Sequence, residues 1–329
     1  MTPLPPLIIL VGPTAVGKTD LAVRLALELN GEILSADSMQ IYKGMDIGTA
    51  KPSFDERKGI PHHLIDLVSP DEAFTVADFQ THYQRKLSEL QEKNLTALLS
   101  GGTGLYVRAV TRGFDFPDPP GDPHLRDELR QKAAAEGNQA LHQWLAKVDP
   151  ISAEKIHPND LKRVLRALEV YIKTGIPFSH QQKTRTSELP ANTIYIGITR
   201  EREELYKRIE LRVDKMLTAG LLEEVQGLLE KGYGPELQSM QGLGYKELIP
   251  VLTGDSSLED AVALLKKRTR HYAKRQLTWF RREPVEQWFL LQKGGEEETF
   301  QKILKYLEGR IHQVSNKEIE KKSRNFSQS

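Results

Sequence analysis

The sequence contains no cysteine. That excludes a disulfide framework, an iron–sulfur cluster, a thiolate nucleophile and cysteine-ligated zinc, and it fits a reducing compartment. Long apolar runs are missing too, since nothing approaches the roughly 20 residues that span a bilayer. The first positive charge is Lys18, so residues 1–11 lack the basic start of a secretory signal. The expected location is therefore cytoplasmic, with no membrane contact. Neither sign of charge is in surplus, 46 Lys+Arg standing against 45 Asp+Glu, so a basic surface can come only from uneven distribution. The nine histidines show no H-x-x-x-H spacing, and the adjacent His62 and His63 are badly placed to share an ion, which argues against zinc. There is no internal repeat. What remains is ordinary globular usage, 329 residues with 39% hydrophobic and 28% charged, enough to bury a sizeable core.

Leu7-Ile8-Ile9-Leu10-Val11 reads as a buried parallel strand. A helix follows from Thr19, with Leu21, Leu25 and Leu29 on one face and Asn30-Gly31 as its stop. Further strands are expected over 32–36, 63–68, 95–100, 194–198 and 285–291, separated by helical stretches, which argues for a doubly wound α/β sheet. The alternation stops near Phe116, where Pro117, Pro119, Pro120 and Pro123 form a stiff linker. Beyond it, 124 to about 186 reads as helical. Its clearest helix is capped by Asn159 or Asp160, carries Leu161, Val164, Leu165, Leu168 and Tyr171 or Ile172 as its buried stripe, and ends at Gly175. The expected division is an α/β core over 1–118 and 191–312, an all-helical insertion over 119–190, and a disordered tail over 313–329. Phe300, Ile303, Leu304, Leu307 and Ile311 give the core a last amphipathic helix. With no long apolar surface helix demanding a partner, a monomer is expected.

Gly12-Pro13-Thr14-Ala15-Val16-Gly17-Lys18-Thr19 matches G-x-x-x-x-G-K-[ST] in full, after a strand and before a helix. In such a turn successive backbone N–H groups face phosphate oxygens, the helix N-terminus and Lys18 add positive charge, and the Thr19 hydroxyl can ligate Mg²⁺. The core is therefore expected to be P-loop NTPase-like, a parallel sheet flanked by helices, and nucleotide or ATP binding comes with that reading. An NTPase usually also has an apolar strand ending in Asp. Here Leu95 to Leu99 runs instead into Ser100-Gly101-Gly102-Thr103-Gly104, and Asp66 is a weak substitute. The loop is expected to bind a pyrophosphate group without being built for γ-phosphate hydrolysis.

Asp37 follows the second strand, and ligands of open α/β sheets sit outside the carboxyl ends of the strands. It can bind Mg²⁺, act as a general base, or simply order a turn. Gly101 to Tyr106 is either a structural turn or a second ligand contact at the same edge. Between Lys266 and Arg282 stand eight Lys or Arg and no acid, interleaved with Tyr272, Trp279 and Phe280. That is a nucleic-acid footprint, unless Ala273, Leu277 and Phe280 are a core stripe and the charges its solvated face. Lys162, Arg163 and Arg166, and separately Arg208 and Arg212, lie on single helix faces with Glu169, Glu204 and Glu210 near enough for salt bridges.

Taken in order, several motifs resemble one family, the bacterial-type tRNA dimethylallyltransferases (tRNA isopentenyltransferases). They are the glycine-rich loop, the long run Asp37 to Pro52, Pro61 to Asp66, Gly101 to Tyr106, His157 to Asp160, Gln241 to Lys246, and Lys274 to Arg281. The resemblance covers about residues 7–290. It implies transfer of a dimethylallyl group from dimethylallyl diphosphate to N6 of the adenosine 3′-adjacent to the anticodon in a tRNA anticodon stem-loop, with Mg²⁺ as cofactor. The loop would then hold a departing diphosphate.

By motif, the resemblance makes Asp37 the general base, has Thr19 and Lys18 bind Mg²⁺ and diphosphate, and gives Arg163 and Arg212 to charge neutralisation. It assigns tRNA contact to Asp37, Ser38, Met39, Gln40, Thr103, Arg126, Lys162, Arg163, Val164, Leu165 and Arg166. It assigns the same to Gln241, Gly242, Leu243, Gly244, Tyr245, Lys246, Lys274, Arg275, Gln276, Trp279 and Arg281. The rival readings are a P-loop small-molecule or nucleotide kinase and a nucleotide-gated RNA-binding protein without chemistry.

Overall fold

The computed structural model describes residues 5–112, 122–181 and 192–326. In chain order they form β1 (Leu7–Val11), α1 (Lys18–Glu28), β2 (Gly31–Ser35), α2 (Phe54–Arg57), β3 (His62–His63), α3 (Val76–Glu92), β4 (Thr96–Gly101) and α4 (Gly104–Arg112). Then come α5 (Pro123–Glu136), α6 (Asn138–Val148), α7 (Pro150–Lys155), α8 (Leu161–Thr174) and α9 (Phe178–Gln181). The last part is β5 (Thr193–Thr199), α10 (Arg202–Thr218), α11 (Leu221–Glu230), α12 (Tyr245–Leu252), α13 (Leu258–Phe280), β6 (Gln287–Leu290) and α14 (Glu296–Phe326).

All strand pairs are parallel, in the order β3-β2-β4-β1-β5-β6. β1 is apolar throughout because it is covered on both faces. Alternate residues serve opposite cores: Leu7, Ile9 and Val11 pack with Phe79, Leu99, Tyr195 and Tyr245, while Ile8 and Leu10 pack with Leu25, Ile196, Ile209 and Ile303. Since β1 lies between β4 and β5, the connections leaving β1 and β4 diverge, and a crevice opens at the carboxyl ends of β1, β2 and β4. All three of these strands end in sequence-singled turns, at Gly12, Asp37 and Gly101.

Contacts divide the chain into two units, 1–111 with 189–329, and 112–188. The second unit is helical where it is described. Asp122, Asp149 and Asp160 cap α5, α7 and α8 through their side chains, and Gly175 ends α8 in the left-handed region. Leu129, Leu141, Leu145, Val164 and Leu168 form its core.

Two expectations are corrected. The third strand shrinks to His62–His63, because Leu64 and Asp66 take positive φ (64° and 52°) and turn the chain out of the ladder. The tail predicted to be disordered over 313–329 instead continues α14 to Phe326. No Gly or Pro interrupts 310–326. The proline-rich linker lies outside the described residues except for Pro123, which starts α5.

Candidate active site

The crevice has a volume of about 1230 Å³, and its wall includes Lys18, Thr19, Asp37, Gly102, Arg212 and Gln276. The turn after β1 is shaped by its own backbone. Ala15 and Gly17 take φ of 62° and 109°. The second value is a left-handed conformation that a glycine adopts without a Cβ penalty. Gly17 precedes α1 and offers no capping side chain, so the first-turn amides of that helix keep their donors for an acceptor in the crevice. Lys18 Nζ folds back to donate to Gly12 O and Pro13 O, both at 2.8 Å. Behind the loop, Arg208 Nε donates to Ala15 O and Arg200 Nε to Val16 O, each at 2.9 Å. Arg212 Nη1 lies 3.5 Å from Thr14 Oγ1.

Arg200 is paired with Glu204 and Glu296, whereas Lys18 and Arg212 are crowded together with no carboxylate in ion-pair contact among the described residues. Burial lowers the Lys18 ammonium from 10.5 to about 7, the Arg212 charge adds to this, and Asp37 opposes it. Burial likewise works against the Arg212 charge, with Asp37 again on the opposing side. An anion entering the crevice would relieve both.

Asp37 orders a turn, one of the readings left open for it, and faces the crevice where the other two would act. Its Oδ1 accepts from Met39 N at 2.9 Å, ordering a turn, and the same side chain lines the crevice close enough to act on Lys18 and Arg212. Ser38 N donates to Thr103 Oγ1 at 3.0 Å, and Thr103 Oγ1 to Ser38 Oγ at 3.2 Å, so the Gly101 turn supports the Asp37 segment. Gln276 ties both turns to α13: its Oε1 accepts from Thr14 N at 2.8 Å and its Nε2 donates to Gly102 O at 2.9 Å. Asp66 is no substitute for a strand-end aspartate, because with Asp46 it is a counter-ion of Lys51, at 2.6 and 2.5 Å.

Mg²⁺ takes hard oxygen ligands and commonly binds through one or two protein groups plus phosphate oxygens. The Thr19 hydroxyl and the Asp37 carboxylate, both lining the crevice, are of that type. Among the described residues no group of three or more His, Asp or Glu could hold a metal unaided. The donors present therefore fit an ion that arrives with a phosphate ligand.

The remaining predicted residues divide by exposure. In the helical unit, Arg126 and Arg166 both bind Oε2 of the fully buried Glu169, at 2.9 and 2.7 Å, so their charge is spent internally. Val164 and Leu165 are buried in that unit's core, which corrects their assignment to tRNA contact through the side chain. Lys162 and Arg163 are exposed, Arg163 lying 3.4 Å from Asp160. In the core unit, Gly242, Gly244 and Tyr245 are buried, Gln276 is buried at the crevice wall, Gln241 is exposed, and Leu243 and Lys246 are half-buried. Lys274, Arg275 and Arg281 are exposed. Trp279 stacks under the Arg108 guanidinium at 4.2 Å, and Arg108 in turn binds the buried Glu283.

Sequence reasoning missed Arg200 and Glu224. Arg200 stands directly after β5, so a cation at a strand's carboxyl end was the signal available. Glu224 sits in an ordinary Leu-Leu-Glu-Glu helix and offered none.

Comparison with known proteins is consistent with this geometry. The sequence model described as IPP transferase matches residues 40–283. A tRNA dimethylallyltransferase of Desulforudis audaxviator is 50% identical over 295 residues, 90% of this chain and 95% of that one. The full-length tRNA isopentenylpyrophosphate transferase of Bacillus halodurans superposes with a TM-score of 0.72 at 44% identity, over 95% of this chain and 99% of that one. A eukaryotic dimethylallyltransferase captured acting on tRNA gives 0.75 at 33%, over 87% and 73%. The molecule is thus a parallel α/β transferase with a P-loop-like core and a helical second unit. Within that class, the chain belongs to the IPP transferase family.

Proposed function

We propose that this chain transfers the dimethylallyl group of dimethylallyl diphosphate to the exocyclic N6 of the tRNA adenosine on the 3′ side of the anticodon, releasing diphosphate. The observation that carries the reading is the shared crevice. It has uncapped helix amides and buried cations on one side and the Asp37 carboxylate on the other.

The reaction forms an N6–C1 bond, breaks the allylic C1–O bond and moves one proton from nitrogen to a base. The N6 lone pair is delocalised into the purine, so the amine is a poor nucleophile until its proton becomes acidic in the transition state. Asp37, a weak base in water, then accepts that proton from the nitrogen. As C1–O breaks, negative charge grows on diphosphate. Lys18, the first-turn amides of α1 and Arg212 are aligned to receive it without reorganising. Mg²⁺ bound by the Thr19 hydroxyl and phosphate oxygens would neutralise part of the same charge. No γ-phosphate needs water delivered to it, which fits the missing strand-end aspartate. The adenosine must leave its stack, at about a few kcal/mol, and an unpaired anticodon-loop base has less to lose. Lys274, Arg275 and Arg281, with Lys162 and Arg163 of the helical unit, are the exposed cations for the RNA backbone.

Mass spectrometry of tRNA incubated with dimethylallyl diphosphate and Mg²⁺ tests the reading. One C5 unit gained on adenosine supports it. ATP consumption with no such gain would turn the reading to a kinase.

A further inference from the structure

One carboxylate outside the crevice holds a wall of it in place. Glu224, in α11, accepts hydrogen bonds at Oε2 from Asp46 N (2.9 Å) and Ile47 N (2.8 Å). At Oε1 it accepts from Gly48 N (3.1 Å) and from the Tyr245 hydroxyl (2.6 Å), at the start of α12. Three consecutive backbone amides converging on one point make the kind of nest that elsewhere binds a free anion. Here the anion is a side chain, and bonds to a charged acceptor are about twice as strong as neutral ones. Tyr245 also closes the space behind the turn, because a Cβ on Gly48 would lie 2.6 Å from its ring.

The pinned segment leads to the reacting residues. Asp46, Ile47, Thr49, Ala50 and Lys51 line the same crevice as Asp37. Thr49 O and Ala50 O accept from Gln40 Nε2 at 3.4 and 3.3 Å, and Gln40 Oε1 accepts from Ser35 Oγ at 2.8 Å. Gln40 closes the short turn that begins at Asp37. The 46–50 segment is therefore bonded on one side to Glu224 and on the other to the turn carrying the carboxylate. The loop after β1, by contrast, is held by Arg200, Arg208 and Gln276.

The geometry points to Glu224 as a positioning residue, acting through the 46–50 segment and Gln40 on the placement of Asp37 and having no part in gripping diphosphate. This rests on the function proposed above. It separates two quantities that a general loss of structure would move together, turnover and diphosphate affinity.

The test measures kcat and KM for C5 transfer to tRNA, and calorimetric affinity for pyrophosphate with Mg²⁺, in wild type, Glu224→Ala, Glu224→Gln and Gly48→Ala. Misplacing a reacting group by about 1 Å can cost on the order of 100-fold. Glu224→Ala is therefore expected to lower kcat by about 10- to 100-fold with pyrophosphate affinity and donor KM unchanged. Glu224→Gln, which keeps one acceptor oxygen, should recover part of the loss. Gly48→Ala, which forces the segment off Tyr245, should repeat the kinetic signature while leaving Glu224 intact. Wild-type kcat in Glu224→Ala, or pyrophosphate binding lost in step with kcat, overturns the assignment. If Glu224→Ala does not fold, the Gln and Gly48 variants decide alone, and wild-type kcat in both overturns it. Wild type that transfers nothing overturns the proposed function and this inference together, whereas active wild type beside unaffected variants overturns the inference only.

Discussion

The turn after β1 and the carboxyl half of α13 are both cationic, and they treat their charges differently. Around the turn, Lys18, Arg208 and Arg212 are met by backbone carbonyls and a hydroxyl, while Asp37 acts on Lys18 and Arg212, Glu56 also on Arg212, and Glu204, Glu296 and Asp20 on Arg208. Such groups are fixed before any ligand arrives, which is what transition-state stabilisation needs. Along α13 and the two residues after it the charges split by pairing. Lys266, Arg268 and Arg270 pair with Asp214, Glu247 and Glu210 at 2.6–2.8 Å. Lys267, Lys274, Arg275, Arg281 and Arg282 are exposed and make no carboxylate pair among the described residues. A run of eight basic residues is thus two populations, one belonging to the fold and one left for a partner. A count of charge cannot separate them. Pairing can.

The sharpest way to break the comparison is at the carboxylate facing the turn. Asp37→Ala is expected to lose turnover by about 100-fold or more, with tRNA affinity little changed, because the exposed cations proposed to meet the RNA backbone are elsewhere. Single-turnover transfer and filter binding on the same variant check both halves. Turnover at the wild-type level would remove Asp37 from the chemistry.

The next effect concerns Lys18 and has a sign fixed by its environment. Burial lowers the ammonium to about 7, so without an anion beside it Lys18 is charged below that pH and neutral above it. A bound anion favours the charged form and raises the value. At pH 8, pyrophosphate binding should therefore take up a proton at Lys18. Calorimetry in buffers of different ionisation enthalpy would show it, and Lys18→Met should bind at least about tenfold more weakly with that extra uptake gone. Equal uptake in the variant would assign the proton to pyrophosphate itself.

Why the two populations were not separable from sequence is a matter of what each contact depends on. The strands at 7–11, 96–101 and 193–199 were legible because burial on both faces demands near-continuous apolar runs, and the loop after β1 because its conformation requires particular residues at fixed spacing. Asp37 was placed in the crevice by topology alone, though its turn bond to Met39 was equally foreseeable. The partners of Arg126, Arg268 and Arg270 come from chain segments 21 to 60 residues away, and no local pattern announces them, whereas Arg166 meets Glu169 one helical turn along, as their spacing allowed. The same holds for Glu224, whose acceptor role exists only once α11 meets the 46–48 turn. The β3 error has a local cause instead: an apolar stretch at 64–68 looked like a strand until two positive φ angles turned it.

The unpaired half of α13 yields a smaller effect than the crevice, and one that salt resolves. Lys274→Ala and Arg275→Ala should each weaken tRNA binding by a similar factor across tRNA sequences and reduce the salt slope by about 1. Counterion release counts phosphates neutralised, whatever bases lie between them. An unchanged slope would mean that these exposed cations do not meet the RNA backbone.

The smallest expected effect completes the contrast. Arg270 lies only four residues before Lys274 on the same helix, but its guanidinium is committed to Glu210 at 2.6 Å, with both side chains partly exposed (28% and 45%). A pair of that kind contributes about 0–1 kcal/mol, so Arg270→Ala should shift thermal unfolding slightly. It frees a glutamate at the base of the unpaired stretch and removes no charge that was available to phosphate. The salt slope for tRNA should therefore stay at its wild-type value in Arg270→Ala while falling in Lys274→Ala. If the two variants lower it equally, the division of α13 into paired and available charge is wrong, and a paired arginine exchanges its carboxylate for phosphate when RNA binds.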